Sequence, residues 1–256
     1  MMSVVEPELM KSMLKSMRMS DIQTVYQPMA EQAASEQWPY ELYLYELLKV
    51  ECEGRFQRKV ERHVALSGLP AFKKLSNFDK KRLPLHLRQK IDSLLRGDFT
   101  DRQENILVFG KPGTGKTHFA AALGHELIQQ GKKVLFTLCS TLVQELLQVK
   151  KEFKLPRKLK QLSKFDAIII DEIGYIQQTR DEMEVLFTLL ADRYERGSIV
   201  ITSNLPFSKW GEIFKDDMLA AAAIDRLVHH SVILKMDVEN YRIKDAEKRS
   251  AKTEKS

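Results

Sequence analysis

The sequence predicts an α/β protein with a parallel sheet flanked by helices, preceded by a small all-helical region. Three observations carry that prediction. Short apolar runs alternate with helix-length segments from about residue 105 to 234. The first of these runs enters the glycine-rich stretch Gly110-Lys111-Pro112-Gly113-Thr114-Gly115-Lys116-Thr117, and a helical segment follows it. Before Gly68 the chain reads as helical throughout.

The elements follow in order. Pro7 to Met19 reads as a helix, and Ser20 or Asp21 caps a second one that Pro28 should disturb. Glu41 to Leu66 carries Leu44, Leu48, Cys52, Phe56, Val60 and Val64 at a four-residue recurrence, which predicts one apolar helical face. Gly68 and Pro70 stop that helix. Residues 71–100 are basic and mixed, broken at Leu83-Pro84-Leu85, with a helix over His86 to Arg96. Then come a strand over Ile106 to Phe109, a helix over His118 to Gln130, a strand over Val134 to Leu138 and a helix over Thr141 to Lys151. A strand over Ala167 to Ile170 precedes a helix over Asp181 to Arg196, with Met183, Leu186, Phe187, Leu190 and Tyr194 on one face. Ser198 to Thr202, Leu219 to Val228 and Val232 to Leu234 complete the alternation as strand, helix and strand. The expected division is 1–68 for the helical region, 69–243 for the α/β domain and 244–256 for a charged, fraying tail.

Composition narrows the classes. The 256 residues suit one or two domains, and 43% hydrophobic with 30% charged residues is a globular balance. A net charge of +6 fits a polyanionic partner such as nucleic acid. Cys52 and Cys139 stand far apart and no Cys/His cluster has metal-ligand spacing, which argues against structural zinc. The N-terminus lacks an apolar signal core and no apolar run approaches the roughly 18 residues of a membrane helix, so a cytoplasmic setting without membrane contact is expected. Trp38, Trp210, His229 and His230 are read as packing or solvated residues.

Gly110 to Thr117 fits the phosphate-binding pattern G-x-x-x-x-G-K-[ST] in its required strand–loop–helix setting. Backbone N–H groups at the helix start would cradle the phosphates of ATP, Lys116 would reach the β- and γ-phosphates, and Thr117 would hold Mg²⁺. The apolar run Phe165 to Ile170 ends in Asp171-Glu172. At the carboxyl end of a parallel strand Asp171 would sit near Mg²⁺, and Glu172 would orient or deprotonate the attacking water. The run ending Thr202-Ser203-Asn204 places Asn204 to bond the γ-phosphate or that water. Arg226 and Arg242 are the candidate arginines for the developing charge, which in phosphoryl transfer sometimes comes from a neighbouring subunit.

With these motifs in place, the chain resembles the AAA+ ATPases of the bacterial helicase-loader and initiator branch. Within that branch it resembles IstB-type transposition helpers of insertion sequences. Tyr194 to Ser198, Ser203 to Phe214, Asp225 to His230 and Tyr241-Arg242 carry the likeness, which runs from about Glu41 to Arg242. The resemblance implies Walker A at Gly110 to Thr117, Walker B at Asp171 and Glu172, sensor 1 at Asn204, a trans-acting arginine finger at Arg226 and sensor 2 at Arg242. It implies a homo-oligomer that assembles on duplex DNA with ATP, remodels the duplex and directs a partner transposase. Gly174 to Arg180 departs from the apolar-proline turn that many relatives carry.

Two basic segments compete for DNA. Lys150, Lys151, Lys154, Arg157, Lys158 and Lys160 follow the second strand–helix pair, where the initiator branch inserts a DNA-facing helix. Arg55, Arg58, Lys59 and Arg62 lie on the long N-terminal helix. Neither segment shows a base-reading motif with aromatic interleaving, so backbone contacts with little base readout are expected. The helical N-terminal region is the natural partner-binding element. A replicative helicase loader with the same ATPase core is the alternative function. A small-molecule P-loop kinase is disfavoured by the Asp171-Glu172 pair and Asn204, and an ATP-gated scaffold without hydrolysis is disfavoured because each catalytic residue type is present.

Overall fold

A computed structural model of the chain describes residues 6–174, 179–211 and 217–238. Its contacts group into two units, one ending at Arg62 and one beginning at His63.

The first unit holds helices α1 (Pro7–Ser16), α2 (Ser20–Ser35) and the larger part of α3 (Tyr40–Ser67). Leu14, Ile22 and Leu47 form its small core, with Val25, Tyr26, Met29 and Tyr43 packed on it. No side chain of its own caps α2. The buried Glu51 carboxylate does so instead, accepting from the Asp21 and Ile22 N–H groups at 2.9 and 3.2 Å. A carboxylate at a helix N-terminus satisfies orphan donors and meets the positive end of the dipole.

Two expectations fail here. Helix α2 runs unbroken through Pro28, which lies exposed while Ile22, Val25 and Met29 are packed. Proline removes one backbone bond, and the packed face outweighs it. On α3 the face toward the core is Tyr43, Leu47 and Glu51, while Leu44, Leu48, Cys52 and Phe56 are exposed. A strict four-residue recurrence drifts about 40° per step around a helix of 3.6 residues per turn. Five steps from Leu44 to Val64 therefore wind roughly halfway round, and no single face can hold all six residues.

The second unit is built on five parallel strands, β1 (Asn105–Phe109), β2 (Val134–Leu138), β3 (Ala167–Ile173), β4 (Ser198–Ser203) and β5 (Ser231–Lys235), in the order β2-β3-β4-β1-β5. β1 lies between β4 and β5, with Leu107 opposite Ile201 and Ile233. The unit also holds α4 (Leu85–Leu94), α5 (Asp98–Asp101), α6 (Lys116–Gln129), α7 (Cys139–Lys151), α8 (Leu155–Leu162), α9 (Arg180–Arg193) and α10 (Asp217–Val228). Leu107, Ile168, Ile170, Ile199 and Ile201 pack against α7, α9 and α10 in one core. Ile169, on the other face, lies against α6, where a Cβ on Gly124 would come within 2.8 Å of it. Both faces of the sheet are covered, as the apolar strands require. No helix among the described residues is long and apolar enough to cross a membrane.

The last turn of α9 differs from the expected face. Arg193 takes the buried position, 1% exposed, while Tyr194 is only partly buried. The Arg193 guanidinium donates to the carbonyls of Leu162, Phe165, Asp166 and Ser198 at 3.2, 2.7, 3.3 and 3.1 Å. It thereby ties the turn before β3 to the start of β4. Burial lowers its pKa to about 10, so it stays charged at neutral pH. Arg193→Met should remove four hydrogen bonds to a charged donor, although the Leu162 and Asp166 carbonyls still accept from the Phe165 and Ser198 N–H groups. A loss of ~2–4 kcal/mol is expected, the worth of buried hydrogen bonds to a charged group less the desolvation that the guanidinium no longer suffers. Thermal melting should then drop by roughly 10 °C in a domain of this size. An unchanged melting temperature would show that the guanidinium contributes nothing.

Candidate nucleotide-binding cleft

A cavity of about 450 Å³ opens at the carboxyl ends of β3 and β4, and Pro112 to His118, Glu172 and Thr202 to Asn204 line it. The strand order reverses beside β1, so its carboxyl end lies at a topological switch point where open α/β sheets bind ligands. The loop after β1 turns sharply into α6. Gly115, the residue before the helix, has φ +98°, a region that side chains disfavour. Helix α6 therefore begins at Lys116, two residues earlier than expected, and its first turn points N–H groups at the cavity. The Lys116 ammonium donates to the Gly110 and Lys111 carbonyls at 2.7 and 2.9 Å.

The acidic pair has unusual local structure. β3 continues past its expected end, and its register with β4 shifts between Ile170 and Ile173. Within this bulge Glu172 has φ +65°. That conformation costs a non-glycine residue about 1 kcal/mol or more. Asp171 is 1% exposed, whereas Glu172 is exposed and lines the cavity. The bulge thus turns two successive acids to different environments. Thr202, fully buried on β4, joins them: its hydroxyl donates to Asp171 Oδ1 at 2.5 Å and accepts from the Glu172 N–H at 2.9 Å. Asn204 lines the same cavity, and its Oδ1 is buried without a hydrogen-bond partner among the described residues. Buried acceptors are nearly always paired, so this one is an exception beside the cavity.

Sequence reasoning missed one wall. Two short 3-10 turns, Leu75–Asn77 and Lys80–Arg82, lie in the basic segment before α4. From that segment Phe72, Phe78 and Leu83 line the cavity. Phe78 packs on His118 and Phe119 with ring centroids 5.4 and 6.2 Å apart. Burial holds the His118 pKa below the ordinary imidazole value, so the ring is neutral at pH 7. Phe72 and Phe78, amid lysines and arginines, were the available signal for this wall.

The other expected residues lie elsewhere. Arg226 on α10 does not line the cavity. Its guanidinium sits 4.7 Å over the Phe187 ring, and its buried Nη1 has no partner among the described residues. Arg242 and the tail lie outside the described residues, as do 175–178 of the departing loop. Of the first basic segment, Lys150 pairs with Glu184 and Lys154 with Glu152, each at 2.8 Å, and Lys158 pairs with Glu145. Lys151, Arg157 and Lys160 are exposed and form no ion pair among the described residues. Of the second, Arg55 pairs with Glu51 at 2.7 Å and Arg58 with Asp21 at 2.7 Å, which leaves Lys59 and Arg62 outside the described ion pairs.

A five-stranded parallel sheet in this order, a P-loop between β1 and α6, and an acidic pair ending β3 beside β4 define an AAA+ ATPase. Within that class the chain belongs to the IstB-like ATP binding protein family, whose model matches residues 12–250. An insertion-sequence ATP-binding protein of Sinorhizobium fredii is 41% identical over 235 residues, covering 91% of this chain and 79% of that protein. The insertion sequence IS21 ATP-binding protein of Pseudomonas aeruginosa is 39% identical over 236 residues, covering 92% and 89%. Among solved structures, AMPPCP-bound DnaA from Aquifex aeolicus superimposes with a TM-score of 0.56 at 18% identity, covering 73% of this chain and 57% of that one. The DnaC helicase loader gives 0.54 at 17% identity, covering 66% and 98%. These likenesses in structure concern the fold.

Proposed function

We propose that this ATPase is a DNA-binding helper of insertion-sequence transposition: it oligomerises on duplex DNA with ATP, remodels the target and recruits or stimulates a partner transposase in the cytoplasm. The observation that supports the ATPase step best is the convergence of the Lys116 loop, Glu172 and Asn204 on one cavity. The named relatives, ATP-binding proteins of insertion sequences, support the setting.

In this reading the triphosphate lies along the first turn of α6, with the base toward Phe72, Phe78 and Leu83. Phosphate oxygens replace the Gly110 and Lys111 carbonyls as acceptors for Lys116. The Thr117 hydroxyl and the Asp171 carboxylate are hard oxygen donors of the kind that suits Mg²⁺. Bound there, Mg²⁺ would neutralise charge on the phosphate oxygens. Asp171 is held for that task by the Thr202 hydroxyl. Glu172 takes a proton from the attacking water or orients it, and Asn204 bonds that water or the γ-phosphate. Arg226 reaches the γ-phosphate of a neighbouring subunit, so ATP links subunits and hydrolysis releases them. Arg242 is assigned the sensor 2 role on resemblance alone.

Lys151, Arg157 and Lys160 are the readiest cations for DNA phosphates, because they have no competing ion pair among the described residues. Each phosphate neutralised contributes about 0.9 to the slope of log affinity against log salt. The Lys151→Glu/Arg157→Glu protein should therefore bind duplex DNA, with ATP present, along a slope shallower by about two. Fluorescence anisotropy across a salt series measures it. An unchanged slope assigns DNA contact to another surface, and equal binding without ATP removes the coupling between nucleotide and DNA.

A further inference from the structure

The turn joining α7 to α8 places an aromatic ring where local physics favours glycine. Helix α7 ends in a Schellman turn: the Lys154 N–H reaches the Val149 carbonyl at 2.8 Å, and the Phe153 N–H reaches the Lys150 carbonyl at 3.0 Å. The residue between these bonds must adopt a left-handed conformation, and glycine usually fills it. Here it is Phe153, with φ +57°. The ring is 95% exposed, so packing returns none of the conformational cost. Its companions along the chain are Lys150, Lys151, Lys154 and Arg157, with Glu152 the lone acid. A strained, solvated phenyl ring amid cations gives the folded monomer nothing, which marks it for a partner. Lys150 and Lys154 are already paired with Glu184 and Glu152, and the positive charge that selects a polyanion is that of Lys151 and Arg157.

We infer that Phe153 is an apolar wedge that enters a base step of duplex DNA when the flanking cations engage the phosphates. The inference rests on the proposed contact between this segment and DNA, and goes beyond it. Backbone contacts alone hold a duplex, whereas a ring inserted between bases unstacks them and kinks the axis. Flexible pyrimidine–purine steps would yield most readily. Phe153 would then supply the remodelling for which the cations have no chemistry, and it is the aromatic element absent from the sequence expectation.

The test compares the full-length protein with Phe153→Gly and Phe153→Leu, with ATP, on duplexes carrying 2-aminopurine beside TA steps. Wild type should raise the 2-aminopurine fluorescence through unstacking. Phe153→Gly should abolish that rise and weaken binding roughly tenfold, the scale of one lost base–aromatic contact. It should keep the salt slope, since no phosphate contact is removed, and melt at a higher temperature because glycine relieves the left-handed strain. Phe153→Leu, still an apolar wedge, should retain most of the signal. The inference is overturned if Phe153→Gly matches wild type in affinity and fluorescence while Lys151→Glu/Arg157→Glu weakens binding. It is equally overturned if Phe153→Gly binds and unstacks DNA normally but loses self-association, which would make the ring a protein contact. If the charge reversal also leaves DNA binding intact, the DNA assignment of the segment fails, and the wedge fails with it.

Discussion

Exchanging Glu172 for glutamine is expected to leave ATP binding within about twofold and to lower turnover by about 10²–10⁴, the usual worth of a positioned general base. Glu172 sits in a bulge with φ +65°, its N–H held by the Thr202 hydroxyl and its side chain at the cavity. Glutamine has the same length and meets the same backbone cost, so the bulge should persist. What changes is the ability to accept a proton. Phosphate release should collapse while a fluorescent ATP analogue still binds, and the ATP-bound assembly should persist longer on DNA. Turnover within about threefold of wild type would remove the base role, because geometry alone could then orient the water. The neighbouring acid should behave differently. Asp171 is buried against Thr202, so Asp171→Asn would disturb the hydroxyl network as well as metal binding.

Much of this site was legible in the sequence because its parts are local. A strand, a glycine-rich loop and a helix start are consecutive in the chain, and one strand ends in two acids. The parallel sheet was legible too, since strands buried on both faces are short apolar runs. The bulge at Glu172 was not legible: nothing between Ile170 and Ile173 signals left-handed backbone. Thr202 escaped notice because its two partners lie across the sheet, 30 and 31 residues away. The Phe72–Phe78 wall was hidden because a loop's contribution to a cavity depends on where it packs. Arg193 was passed over for the opposite reason. Periodicity assigns apolar residues to the core, yet four backbone carbonyls draw a guanidinium into it. The winding stripe on α3 misled through geometry, since a spacing of four approximates the helical repeat only over a few turns.

Arg226→Ala should reduce ATP turnover by about 10³–10⁵, the worth of an arginine delivered to the developing charge, equivalent to roughly 4–7 kcal/mol of barrier. A bland helix-end ion pair predicts far less, and no such pair is present among the described residues. The guanidinium instead rests over Phe187, with a buried Nη1 that finds no partner there. A half-buried cation–π stack is worth about 0.5–2 kcal/mol, so the substitution should lower melting by only a few degrees. Because Arg226 does not line its own cavity, ATP binding to the isolated subunit should be intact. Mixing then separates action within a subunit from action between subunits. Arg226→Ala has a complete cavity but no finger, and Lys116→Ala has the finger but a disabled phosphate loop. Each alone should be nearly inactive. Together, the Lys116→Ala subunit can present its arginine to an Arg226→Ala neighbour, and a fraction of the wild-type rate should return. If the mixture is no more active than the sum of its parts while mixed oligomers form on DNA, Arg226 does not act across an interface. If Arg226→Ala alone keeps turnover within about threefold, it is not the finger at all.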